Sequence, residues 1–367
     1  MKITCEKENL TKALLITEKI TGTNPTLPIL GCVLLIAKDD VLVLRSTNIE
    51  LGIEVSIPIK SKEDGIVAVP GHIFYNTIQN THDSIINIET KKDNIIINTK
   101  HSETILNTQS HDDFPSLPII KNNTVYKLKS ENMIKGIDSV IYSASNSTIK
   151  PELSSIYVYG HDGKIFFVAT DSFRLAEKTI QTKDKNILDK SFLLPLRNAI
   201  EILRIFNQIQ YSDVSIKVDK NQISFECGDV FITSRIIDGV FPDYKQIIPK
   251  DYVTEVIVLK QDLLNLFKKI NIFSNRFGQI SVDVQPQKNI FIVHTNNDTV
   301  GKTSDSVDSV IKGEALSMSF NYRYIYDCLN SIQSDSVTLL FTGIGKPLII
   351  KGVSDLSFLY LVMPMNK

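Results

Sequence analysis

The segment EKENLTKALLITEKITG (residues 6–22) has two fainter echoes downstream, KSENMIKGIDSVIYSAS (129–145) and KQDLLNLFKKINIFSN (260–275). Each opens on acidic or amide residues and then places apolar side chains at helical spacing, as with Leu10, Ala13 and Leu14 or Ile134, Ile137 and Ile141. Each copy therefore reads as a one-faced helix. With Leu10, Met133 and Leu263 in register, the copies recur at roughly 125-residue intervals. A second set keeps the same interval: VPGHIFYNTIQN (69–80), LPLRNAIEILRIFN (194–207) and FNYRYIYDCLNSI (320–332). Pro70 and Pro195 are expected in the first helical turn, where the missing N–H has no partner in any case.

Between these segments the period changes from helical to alternating. VLVLRSTNIELGIEVSIPI, IINIETKKDNIIINT, VSIKVDKNQISFECG and GQISVDVQPQKNIFIVHT alternate apolar with polar residues and break at Asp, Asn, Gly and Lys clusters. They read as antiparallel hairpins. DDFPSLP (112–118) and GVFPDYKQIIP (239–249) end the first two copies, because proline cannot continue a ladder, and linkers are expected near 119–126 and 248–254. The fold class expected is α+β, in three tandem domains spanning 1–120, 125–248 and 250–367. In each, two helices pack on antiparallel sheet.

Composition narrows the function classes. The 367 residues are 43% hydrophobic and 22% charged, with 40 basic and 41 acidic side chains, which suits a soluble globular protein. The beginning, MKITCEKENL, lacks the apolar core of a secretion signal, and no window holds the roughly 18 apolar residues of a membrane span. A cytoplasmic protein without membrane attachment is expected. Cys5, Cys32, Cys227 and Cys328 are scattered, which favours reduced, buried thiols over disulfides or zinc.

Catalytic signals are sparse. No two histidines sit at the i, i+4 spacing of a helical metal site, and His111 with Asp112 and Asp113 reads as a solvated turn. GIGKP (343–347) lacks the leading glycine of a phosphate-binding loop and has Pro347 where a metal-holding hydroxyl belongs, so it reads as a hairpin turn. Neither a metal nor a cofactor is expected. The one acid-and-arginine pair that invites attention, Asp171 and Arg174 in VATDSFRLA (168–176), supports a nucleotide or phosphodiester hydrolase as the alternative reading. That chemistry needs a second acidic or metal-binding cluster.

Charge is more informative than motif. Over the helical segments thirteen basic residues, including Lys12, Lys19, Lys127, Lys129, Lys135, Arg197, Lys268, Lys269 and Arg276, stand against eight acids. The segments thus carry about +5 in a chain of −1. A positive helical wall of this kind suits phosphate contact indifferent to sequence.

PTLPILG (25–31), VATDSFRLA (168–176), DGVFPDYKQIIP (238–249), FNYRYIYDCLN (320–330) and YLVMPM (360–365) occur in an order and spacing that resembles the bacterial sliding clamps, the beta subunits of DNA polymerase III. The resemblance covers essentially the whole chain. It implies a head-to-tail homodimeric ring, helices inside and sheets outside, encircling duplex DNA. It also implies non-catalytic tethering of the polymerase alpha subunit, the clamp loader and other proteins bearing the clamp-binding motif.

Site residues follow from the same resemblance. A pocket for short linear peptides maps to Leu153, Thr170, Ser172, Arg174, Leu175, Pro242, Ile247, Leu361 and Met363, with Phe173, Asn321, Tyr324, Pro347, Pro364 and Met365 along its rim and adjoining groove. Ser172 and Phe173 stand where many clamps have Gly-His or Gly-Tyr. DNA-facing positions map to Lys12, Asn24, His72, Lys135, Ser147, Lys150, Pro151, Glu152, Arg197, Lys268 and Lys269. Subunit contacts map to Thr104 and Leu106 on one sheet edge and to Ile272 and Phe273 on another.

Overall fold

The computed structural model describes residues 1–22, 26–120, 124–182, 188–209 and 212–365. All six repeat-related helices are present and shorter than the segments that announce them: α1 (Lys7–Thr17), α2 (Gly71–Gln79), α3 (Ser130–Asp138), α4 (Leu196–Phe206), α5 (Lys260–Ile272) and α6 (Tyr322–Leu329). In α1, Leu10, Ala13, Leu14 and Ile16 are buried, and the end of the quoted segment tightens into a 3-10 turn over Glu18–Ile20. In α5 the buried face is Leu263, Leu266, Phe267 and Ile270. One expectation is corrected: Pro70 and Pro195 close the strands Gly65–Pro70 and Phe192–Pro195, and Pro70 is the N-cap of α2. Its φ of −53° and ψ of 112° make the strand-to-helix corner rather than the first helical turn.

In the second copy the approach of helix to sheet depends on a glycine. A Cβ at Gly136 of α3 would lie 2.4 Å from the ring of Phe167, which is fully buried. Only a hydrogen fits there.

The chain divides into two compact units, residues 1–131 with 200–236 and residues 132–199 with 237–367. The first holds two antiparallel sheets. One runs, in spatial order, Lys60–Glu63, Lys2–Glu6, Ile85–Lys91, Asn94–Asn98, Glu103–Asn107. The other runs Tyr126–Lys129, Asp213–Val218, Gln222–Cys227, Val230–Arg235, Leu51–Pro58, Val41–Thr47, Cys32–Lys38, Gly65–Pro70. The second unit holds a nine-stranded sheet, Phe192–Pro195, Ser155–His161, Lys164–Thr170, Arg174–Gln181, Phe358–Val362, Leu348–Gly352, Ser336–Phe341, Thr254–Leu259, Val310–Gly313. A four-stranded sheet, Gly301–Asp308, Ile290–Asn297, Gln279–Gln285, Leu316–Asn321, completes it.

Two of these sheets cross repeat boundaries in the same way. In the first unit Leu51–Pro58 takes Val230–Arg235 as an antiparallel neighbour, in register from Leu51 opposite Ser234 to Val55 opposite Val230. In the second unit Arg174–Gln181 takes Phe358–Val362, from Arg174 opposite Val362 to Lys178 opposite Phe358. Each joint unites the third strand after a repeat's first helix with the last strand of the next repeat. Backbone pairing therefore merges neighbouring repeats, so the chain forms two compact units where the sequence repeats three times. The strands that correspond in the remaining positions are Gly301–Asp308 and Glu103–Asn107, and each lies at the edge of its sheet.

Candidate peptide-binding pocket

The strands Lys164–Thr170 and Arg174–Gln181 form a hairpin, and its turn is fixed by its own side chains. Asp171 Oδ1 accepts the N–H groups of Phe173 (2.9 Å) and Arg174 (3.0 Å). Thr170 Oγ1 accepts from the Ser172 N–H at 3.2 Å and donates to the Arg174 carbonyl at 2.7 Å. Local side-chain bonds of this type define Asx and Ser/Thr turns. Ser172 sits at φ 78°, the left-handed region, which costs a residue with a Cβ about 1–2 kcal/mol. The Ser172 N–H bond to Thr170 helps hold the turn in this shape at that cost.

The turn is one wall of a cavity of about 330 Å³ in the second unit, lined by Thr170, Ser172, Arg174, Leu175, Ile247, Pro347, Leu361 and Met363. The strand Phe358–Val362 pairs directly with Arg174–Gln181, setting Leu361 beside Leu175, and Met363 N–H donates to the Phe173 carbonyl at 2.8 Å, so turn and tail are fastened together. Pro347 arrives from the hairpin that GIGKP turns, as expected. Ile247 ends a 3-10 turn, Tyr244–Ile247. Depth separates two roles: Leu175 and Leu361 are 0% and 2% exposed, whereas Ile247 and Met363 are 53% and 37% exposed. The leucines are floor and the other two are accessible rim. Behind the floor, Val168, Leu193, Phe241 and Tyr244 complete an apolar cluster. The Tyr244 hydroxyl donates to Glu177 at 2.5 Å, and burial together with that bond raises its pKa above the ordinary tyrosine value.

Arg174 does not present its charge to the cavity mouth. Its side chain is 12% exposed, with Nε donating to Asp171 Oδ2 at 3.0 Å and Nη1 to Asp327 Oδ2 of α6 at 2.8 Å. The guanidinium carbon lies 4.4 Å from the ring centroid of Tyr324 and 5.9 Å from that of Tyr142. Burial opposes its charge, and the neighbouring Tyr360, Asp327 and Asp171 outweigh burial, so its pKa is raised. Asp327 escaped the sequence reading, since nothing local marks a partner 153 residues away.

The remaining expected pocket residues lie outside the cavity lining. Leu153 is buried, its backbone bonded to Lys150 and Ser145. Asn321 caps α6 by accepting the Arg323 N–H at 3.0 Å, and Tyr324 serves as the Arg174 platform. Phe173 is 62% exposed beside the mouth, Pro242 is exposed and Pro364 is half-buried. Met365 N–H donates to the Ser319 carbonyl at 2.8 Å.

The sheet-edge placement of two of the expected subunit contacts needs correction. Thr104 and Leu106 do lie on the edge strand Glu103–Asn107, but Ile272 ends α5 and Phe273 is its C-cap, so neither belongs to a sheet edge. The strand of that repeat that corresponds to the joined strands and lies at a sheet edge is Gly301–Asp308. The helix charge also shrinks. Lys127 and Lys129 belong to a strand, Lys19 to a 3-10 turn, and Arg276 follows α5, while Glu6 and Glu18 leave the acidic count. Nine basic and six acidic residues remain in the helices.

Among the DNA-facing candidates Lys12, His72, Lys135, Arg197, Lys268 and Lys269 are exposed on helices, opposite the buried faces. Lys12 pairs with Glu8 at 2.6 Å and Lys269 with Asp305 at 3.1 Å. His72 Nδ1 lies 3.2 Å from Glu18 Oε1. Ser147, Lys150 and Pro151 are exposed in the loop after α3, with Glu152 half-buried. Asn24 lies outside the described residues.

Chemistry has little to work with. Both Asp171 oxygens are spent on the turn and on Arg174, and no group of three or more potential metal-ligating residues exists among the described residues. Burial pushes the Cys5 thiol up to about 12 and those of Cys32 and Cys227 up to about 11, far from a reactive thiolate. Among the described residues no helix is long and apolar enough to cross a membrane.

Helix pairs repeated three times and joined through shared antiparallel sheets define the class of this fold. Three family models match in succession: the N-terminal domain of the DNA polymerase III beta subunit over residues 1–118, the central domain over 127–243 and the C-terminal domain over 245–366. A beta sliding clamp of Proteus mirabilis is 27% identical over 369 residues, covering 100% of both chains. That of Synechococcus elongatus is 25% identical over 373 residues, covering 100% of this chain and 99% of the other. The crystal structure of a DNA polymerase sliding clamp from Bacillus subtilis superimposes with a TM-score of 0.94 at 24% identity, covering 100% of this chain and 99% of that one. The DNA polymerase III beta subunit of Thermotoga maritima does so with a TM-score of 0.92 at 23% identity, again covering 100% and 99%. The chain belongs to the family of the DNA polymerase III beta subunit, the sliding clamp, a non-catalytic processivity factor of replication. The hydrolase reading finds no support.

Proposed function

We propose that this clamp acts in the cytoplasm as a head-to-tail homodimeric ring of three-domain subunits, with domains at 1–120, 125–248 and 250–367. The ring encircles duplex DNA without reading its sequence. The observation that carries this is the repeated strand joint. The third and last strands of adjoining repeats pair within each unit, and Gly301–Asp308 and Glu103–Asn107 are the matching strands left at sheet edges. Leu51–Pro58, Arg174–Gln181 and Gly301–Asp308 each span eight residues, so the third edge has the length the joint uses. An open edge carrying Ile105 at 58% exposure invites pairing with a second chain. Two copies joined twice in this way leave no joint open, as a closed heterologous assembly requires.

Exposed Lys12, Lys135, Arg197 and Lys268 then meet phosphates, and the cavity beside Leu175 receives apolar anchors of partner peptides. Those partners are the polymerase alpha subunit, the clamp loader and other proteins bearing the clamp-binding motif. At about 330 Å³ the cavity accommodates one or two large side chains. Sedimentation mass combined with retention on nicked circular and linearised plasmid tests the ring. A dimer that stays on circles and leaves linear ends is expected; a monomer, or equal retention on both, overturns it.

A further inference from the structure

We propose that Asp327 is a positioning residue for the peptide pocket, acting through Arg174; this rests on the pocket reading above. An unbroken series of polar contacts leads from α6 to the cavity wall. Asp327 Oδ2 holds Arg174 Nη1 at 2.8 Å, and Arg174 Nε holds Asp171 Oδ2 at 3.0 Å. Asp171 Oδ1 fixes the N–H groups of Phe173 and Arg174, and the Phe173 carbonyl takes the Met363 N–H at 2.8 Å. Tyr324 and Tyr142 confine the guanidinium from their ring faces, so the fork has one orientation in which both carboxylates are reached.

Two features separate positioning from plain structural support. The Asp327 side chain is 37% exposed, so water screens its end of the pair, and Arg174, itself 12% exposed, keeps Asp171 as a carboxylate partner when Asp327 is changed. The turn it orders carries the lining residue Ser172, and through the Phe173 carbonyl it holds the lining residue Met363. Without Asp327, Asp171 alone holds the guanidinium, and Asp171 must then serve both the turn and a loosened fork. The expected consequence is a pocket less ready for its ligand, which weakens binding through ordering cost and not through lost contact.

The experiment uses the full-length dimer and a fluorescein-labelled peptide from the polymerase alpha subunit, read by anisotropy. Asp327→Asn is expected to weaken binding about fivefold with the unfolding midpoint and dimer mass unchanged, and Asp327→Glu to restore most of the loss. Arg174→Lys, which keeps the charge and loses the fork, is expected to weaken binding similarly, and the double variant no further. Should Asp327→Asn fail to fold, the cycle of Asp327→Ala, Arg174→Lys and their double variant decides: a double variant no weaker than Arg174→Lys upholds the coupling and additive losses refute it. Ile247→Ala is the control for the pocket itself. If Ile247→Ala weakens binding while Asp327→Asn binds as wild type, the positioning role falls alone. If neither variant changes affinity, the pocket reading falls with it.

Discussion

Truncating the pocket at its rim and at its floor is expected to give opposite signatures. Ile247 is 53% exposed, so about half of its side chain remains for a ligand to cover. Full burial of an isoleucine contributes about 1.5–3 kcal/mol, so the available half corresponds to about 0.8–1.5 kcal/mol. Ile247→Ala should raise the peptide Kd about four- to twelvefold with the thermal midpoint unmoved. Leu175 is 0% exposed inside the cluster of Val168, Leu193, Phe241, Tyr244 and Leu361. Leu175→Ala should therefore cost about 2–5 kcal/mol of stability before any effect on binding is read. The assays are anisotropy with a labelled polymerase-derived peptide and urea unfolding, run on the same preparations. Wild-type affinity in Ile247→Ala, or wild-type stability in Leu175→Ala, would falsify the assignment of rim and floor.

Three further outcomes follow from the geometry. Ile105→Lys, which puts a charge on the open edge strand, is expected to shift the sedimentation mass toward monomer, while Ile272→Ala with Phe273→Ala does so less; the reverse order would return the contact to the end of α5. Gly136→Ala forces a methyl to 2.4 Å from the Phe167 ring and is expected to lower stability by about 1–3 kcal/mol in chemical denaturation, with wild-type stability ruling out that close approach. Asp355, although burial opposes its charge, has its pKa lowered by Ser357, the Gln333 N–H and Lys178, so it adds stability that is complete above its unfolded value near pH 4 and lost as pH falls through the folded value. Asp355→Asn is expected to flatten that acid limb, and an unchanged limb in a pH series of unfolding midpoints would remove Asp355 from it.

The helices were legible because their periodicity is local: Leu10, Ala13 and Leu14 face inward whatever they meet. The hairpins were legible for the same reason, since their alternation and turn residues are also local. What the sequence hid is non-local. Nothing in VATDSFRLA announces that Arg174 reaches a carboxylate on α6, or that Leu175 belongs to a floor and Ile247 to a rim. Resemblance supplied the pocket membership and burial supplied the roles. The edge placement of Ile272 and Phe273 came from the resemblance alone, whereas the local periodicity of 260–275 already marked the helix that holds Ile272 and is capped by Phe273.

The place of Phe358–Val362 in the nine-stranded sheet bears on how the protein is made. It lies between Arg174–Gln181 and Leu348–Gly352, so two halves of that sheet have no common neighbour until this strand exists. During synthesis the first unit has all its residues by Ile236, and domains fold as they emerge. The second unit must wait for about 130 more residues, holding the open strand Arg174–Gln181 exposed in the meantime. Leu361 and Met363 arrive in that same late stretch, so a chain released early lacks one wall of the cavity. Completion of this cavity is thus among the last steps in making the chain, and a shortened chain carries the turn at Asp171 without the tail residues that line the cavity beside it.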